Sequence, residues 1–289
     1  MTDIWVCGNC HSINRQRGNR CYKCGASQEK AATGEMSTLR QEEAIISRTV
    51  VRYRPAAALG LAASFFLLGL AAVSIVLIID SIGLSGFLDR QLALLGSSGS
   101  IDESALEARL AQSDQLGLLS LAVVVPALLF FASWLSRVVS NVPALGGGVP
   151  GTSPWRAFVN TLVPLVNLKT VPGMLQDVLY RLDPKAGGLF MLAIAWLGLV
   201  GSWIISFVAG WYLDLRLTFD LRDAATVDEA IKSMRSLMTA AVVLDIVTGI
   251  LITIGAIVLI MVMVRIERRS RARDAEVRAV ADAKLGPAR

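Results

Sequence analysis

Beyond residue 55 the chain alternates between long apolar stretches and shorter charged ones. Four apolar runs stand out, at 56–79, 116–135, 189–212 and 240–264. A helix rises 1.5 Å per residue, so about 20 apolar residues cross the roughly 30 Å hydrocarbon core of a bilayer. Each run meets that length, and together they predict four transmembrane helices. Pro126 inside the second run removes one helical hydrogen bond and predicts a kink there. Trp211 and Tyr212 close the third run, where an aromatic belt is expected. Asp245 lies within the fourth, five residues from its start.

The polar segments set an orientation. Basic against acidic residues number nine to five before the first run, two to six in 80–115, and five to two in 136–188. They number four to five in 213–239 and eight to four from Arg265 onward. Lysine and arginine favour cytoplasmic loops, so this alternation predicts an even number of crossings with both termini in the cytoplasm. The composition agrees: 54% hydrophobic, 18% charged, mean hydropathy +0.57, against about 25% charged in soluble domains. The net charge of +5 concentrates beside the apolar runs and calls for no nucleic acid. With a basic tail ahead of the first run, a cleaved leader is not expected.

All four cysteines precede the membrane part, as Cys7-x2-Cys10 and Cys21-x2-Cys24. In a reducing compartment such paired knuckles read as thiolate ligands for one tetrahedral Zn²⁺, with an iron–sulfur or redox dithiol site as the alternative. Gly8 and Gly25 follow ligands at the turns, and a head this short draws its folding energy from the metal. His11 is the single histidine and is read as a bystander. Trp5, Asn14 and the four cysteines match the pattern of the zinc finger named after the nucleoporin Ran-binding protein 2, which this head resembles over about 25 residues. The resemblance implies that Trp5 supports the knuckle and Asn14 ties its halves together. It also implies RNA or ubiquitin as ligand classes. Arg15 stands where RNA-binding members carry an aromatic, and His11-Ser12 where ubiquitin-binding members carry Thr-Phe. Arg15, Arg17, Arg20, Tyr22 and Lys23 form a candidate docking face for phosphates, anionic headgroups or a protein.

Residues 28–54 read as a cytoplasmic linker with an amphipathic later part, and 266–289 as a basic cytoplasmic tail. In the 80–115 loop, Ser100 or Asp102 is the candidate cap of a helix through ALEARLAQ. The stretch 153–182 is apolar but broken by Asn160, Pro164, Asn167, Lys169 and Pro172. Pro172 is expected to open a helix whose Met174, Leu175, Val178, Leu179 and Leu182 share one face. The stretch is read as two short helices lying on, or re-entering, the cytoplasmic leaflet. Asn160, Asn167 and Asp245 are candidate polar positions in the membrane. Ser153-Pro154, Pro164-x2-Asn167-Leu168 and Pro172 resemble the bacterial membrane family called domain of unknown function 4328, over about 60–265. That resemblance implies a bacterial plasma-membrane protein and no established activity.

The expected fold is thus all-α and multi-span: a zinc-ribbon-like finger at 1–27, a linker, and a four-helix membrane domain at 55–265 with an interfacial pair. No nucleophile stands with a base, so an enzyme is not expected. The leading functional reading is a membrane scaffold or regulator docking a protein or lipid through its zinc finger. A small-solute transporter or channel subunit and a membrane-tethered RNA binder are the alternatives. Gly198 with Ser202, and Ser206 with Gly210, invite close helix packing within the chain or in a homo-oligomer.

Overall fold

The structure is a computed structural model that describes residues 4–6, 13–15, 53–98, 100–182 and 189–285. A short antiparallel hairpin pairs β1 (Ile4–Val6) with β2 (Ile13–Arg15), placing Trp5 opposite Asn14. The remainder is helical: α1 (Ala57–Ser98), α2 (Glu103–Asn141), α3 (Pro154–Leu162), α4 (Pro164–Leu182), α5 (Leu189–Trp196), α6 (Ser202–Asp223) and α7 (Val227–Leu285). A π-helical turn, Leu197–Gly201, joins α5 to α6, so the third apolar run is one helical rod with a widened turn. Four helical segments are long and apolar enough to cross a membrane: Ala57–Ser97, Glu103–Asn141, Phe190–Asp223 and Val227–Ala279. The protein is a multi-pass membrane protein. Bulky apolar side chains such as Phe65, Phe207 and Trp211 stay more than 60% exposed along these helices, as lipid solvent permits.

Each rod outruns its apolar run because the flanking polar residues also favour helix. At the start of α2, Asp102 Oδ1 accepts the backbone N–H of Ala105 at 3.0 Å and the Ser104 hydroxyl at 2.8 Å. Asp102, rather than Ser100, is therefore the cap. Those hydrogen bonds, the backbone one foremost, lower its carboxyl below the usual 3.8. Pro126 lies within α2, which continues through it.

The chain divides into two compact units. One comprises residues 1–60, 131–188 and 263–289. Its core is built by Trp134, Leu135, Val142, Leu145, Leu175, Met263 and Ile266, all nearly inaccessible. Trp134 Nε1 donates to Glu267 at 2.9 Å, which satisfies the buried indole without breaking the apolar packing. The Asn141 side chain clips the Arg54 backbone by accepting its N–H at 3.1 Å and donating to its carbonyl at 2.7 Å. The helices of the 153–182 stretch belong here. Ser153 caps α3, Val163 is extended, and Pro164 opens α4. An extended residue before proline is what the ring's clash demands. The expectation for Pro172 is corrected: it lies inside α4, and Pro164 supplies the start. Met174, Leu175, Val178, Leu179 and Leu182 form the buried face.

The other unit comprises 61–130 and 189–262. At its tightest crossing, Gly198 of the π turn meets α7. A Cβ there would sit 2.5 Å from the Leu251 carbonyl oxygen and 2.7 Å from Gly255 Cα. Only paired glycines allow two helix backbones so close. Ser202 is fully buried beside them, so the first small-residue pair serves packing within the chain.

The zinc expectations require correction. A structural zinc site needs four ligands converging on one point. Among the described residues no group of three or more His, Cys, Asp or Glu side chains can hold a metal. Cys7, Cys10, Cys21 and Cys24 lie outside the described residues. The zinc-ribbon finger, the structural Zn²⁺ and the zinc-dependent docking module are therefore dropped. What stands is a four-span helical membrane fold.

Candidate functional site

The one candidate membrane carboxylate, Asp245, lies in a built environment inside the second unit. Its Oδ2 accepts the Ser81 hydroxyl of α1 at 2.6 Å. One residue before Ser81, Asp80 organises a second polar group. Arg109 Nη2 lies 2.7 Å from Asp80 Oδ1 and donates to the Asp80 carbonyl at 2.9 Å. Ser113 accepts from Arg109 at 3.0 Å and donates to Asp80 Oδ2 at 2.8 Å. Side-chain exposures of 16% and 10% make this ion pair mostly sheltered. Arg109 is thus committed to Asp80, and Asp245 receives a neutral hydroxyl instead of a cation.

Asp245 lines an open-sided cavity of about 390 Å³ between α6 and α7, and both Asp245 and Asp214 are exposed there. Leu213, Leu217, Leu237, Met238 and Leu244 give it apolar walls, Met234 and Ala241 add to them, and Ser206 and Gly210 lie on the α6 side. Asp214 supplies a second carboxylate, and no basic side chain is among the lining residues. Ser206, Gly210, Leu213, Asp214 and Leu217 recur at three- and four-residue steps, so one face of α6 forms this wall. The face of α7 opposite follows the same period through Met234, Leu237, Met238, Ala241, Leu244 and Asp245. The second small-residue pair, Ser206 with Gly210, therefore opens space for the cavity instead of closing a helix contact. Methionine walls adapt to differently shaped apolar guests.

Other candidate positions fall elsewhere. Asn160 is half-buried on α3, and Asn167 is buried on α4, donating to the Thr161 carbonyl at 3.1 Å. Neither is among the residues that line the cavity beside Asp245. Trp5 and Asn14 are cross-strand partners in the hairpin, and Arg15 ends β2. Arg17, Arg20, Tyr22 and Lys23 lie outside the described residues. Ser81 and Asp214 lie just beyond the first and third apolar runs and are not conspicuous in the sequence. The usable signal was that both sit at the polar margin of an apolar run, as Asp245 does.

A family profile described as Domain of unknown function (DUF4328) matches residues 98–279. The chain belongs to the DUF4328 family. The matched region begins later than the resemblance read from sequence and extends further toward the C-terminus. It contains every residue lining the cavity, whereas Asp80 and Ser81 precede it. Neither the curated proteins nor the solved structures include a match to this chain.

Proposed function

We propose that this DUF4328 protein is a non-catalytic integral membrane protein that binds a small amphiphilic organic cation between α6 and α7. The observation that carries the proposal is a cavity with apolar walls, two carboxylates and no basic lining residue. Its volume falls within the 300–1,000 Å³ typical of small-molecule sites. A guest of opposite charge is attracted to Asp214 and Asp245, while its hydrocarbon part gains from leaving water. The Ser81 hydroxyl holds one Asp245 oxygen, and among the described residues no cation pairs with this carboxylate.

The distribution of basic residues supports a placement in a bacterial plasma membrane with both termini cytoplasmic, the bacterial setting following the family resemblance. Counted along the sequence, the 20 residues 245–264 separate the basic tail from the Asp245 level, about 30 Å of helix. Asp245 then lies at the far margin of the hydrocarbon core, and the cavity is reached from the outer side.

Fluorescence anisotropy of ethidium with the full chain in lipid nanodiscs tests this reading. Saturable binding above that of empty nanodiscs is expected, weakened at least about tenfold in the Asp214→Asn/Asp245→Asn double variant, as loss of two charge contacts implies. A neutral dye of similar size should be unaffected. Equal ethidium affinity in the wild type and a folded double variant would refute the proposal.

A further inference from the structure

The outward face of the α3–α4 pair carries an arrangement of side chains that the cavity does not use. Trp155 is 70% exposed, although its ring stacks on Phe158 at 5.9 Å and 18° between planes. Val166 and Leu168 are likewise exposed on the neighbouring helix. The opposite side of α3 is closed, with Ala157 and Thr161 completely buried. Arg156 and Lys169 are exposed beside these apolar groups. Asp177 is the only acidic residue from Pro154 through Leu182. It is engaged by Arg181 Nε at 2.8 Å and by the Gly151 N–H at 3.2 Å. The outward face is thus apolar and net basic.

We infer that this face lies in the lipid headgroup region and selects anionic phospholipid, with the Trp155 ring at the interface and Arg156 and Lys169 toward the phosphates. Two observations favour lipid as the occupant. The unit holding the pair also holds the ends of two membrane runs, at residues 135 and 264, so its surface includes the membrane margin. The pairing of an amphipathic tryptophan with basic side chains that have no acidic partner among the described residues matches an interface with anionic headgroups.

The test uses the full chain in nanodiscs holding brominated lipid, with the Trp155 signal isolated by subtracting a Trp155→Phe sample. Quenching by lipid brominated near the headgroup, and stronger quenching when the brominated lipid is phosphatidylglycerol than when it is phosphatidylcholine, are expected. In Arg156→Gln/Lys169→Gln, measured against its own Trp155→Phe counterpart, the anionic preference should fall about fivefold or more. Quenching by aqueous acrylamide instead of bromolipid would overturn the inference by placing the face in water. Protection from both would overturn it by showing a protein cover. An anionic preference unchanged in the double variant would overturn the role of the two basic residues.

Discussion

Gly198 and Gly255 show how much a single missing Cβ decides in this molecule. A methyl on Gly198 meets backbone, the Leu251 carbonyl and Gly255, and backbone cannot rotate away as a side-chain tip can. Gly198→Ala should therefore lower stability by about 1–3 kcal/mol, the usual cost of overpacking, read as a lower unfolding midpoint in detergent. Gly117→Ala is the matched comparison, because nothing lies within 4 Å of its added Cβ. It should be neutral or slightly stabilising, by up to about 1 kcal/mol from helix propensity. Tyr53 supplies a pH-dependent residue outside the spans. Burial first, and then the nearby Glu267 and Asp274 carboxylates, raise its phenol above 10.0. The unfolded chain then ionises Tyr53 before the folded one does. The packing it contributes is fully present below about pH 10 and lost as pH rises through the folded value. Thermal midpoints measured from pH 8 upward should fall above pH 10, with a shallower fall in Tyr53→Phe.

At the scale of elements, the sequence reveals apolar rods better than it reveals how they end or meet. The four runs and the buried face of α4 are legible because each is a local pattern of side chains repeated over several turns. The π turn at Leu197–Gly201 is not, since its reason lies in Gly255, more than 50 residues away in the chain. Pro164 and Pro172 look equally able to start a helix. Extended Val163 before Pro164 decides between them, and that conformation is a feature of the fold. The 146–152 loop is likewise set by a distant residue. Gly146 and Gly148 adopt φ of 73° and 69°, and buried Arg181 donates to the Gly147 carbonyl at 2.9 Å while binding Asp177. Removing one partner of a buried pair costs about 3–5 kcal/mol. Asp177 is a third exposed, so Arg181→Met should cost less, about 2 kcal/mol. Limited proteolysis within 146–152 should accelerate in that variant; an unchanged cleavage rate would show that the glycines alone hold the loop.

For the whole molecule, the cavity was half legible. Asp245 is conspicuous as a charge inside an apolar run, but Asp214 and Ser81 acquire meaning only when α6, α7 and α1 come together. Their shared position at the polar margins of three runs makes orientation the property that links site to membrane. The charge bias is strongest at the chain ends and in the 136–188 segment, where basic residues exceed acidic ones, and weakest in 213–239, where they number four against five. There α6 and α7 are joined through only Ala224–Thr226, so all of those charges lie on the helices and not in a free loop. Short loops with few lysines and arginines offer little resistance to translocation, so the flanking basic segments should dominate. Alkaline phosphatase fused at positions 100 and 225 should accordingly be active, and fusions at 150 and 289 inactive, with a cytoplasmic fluorescent reporter giving the reverse. Phosphatase activity at 289 would put an odd number of crossings between the ends or invert the chain. Inversion would turn the mouth of the Asp214–Asp245 cavity toward the cytoplasm, and its ligand would then have to arrive from inside the cell.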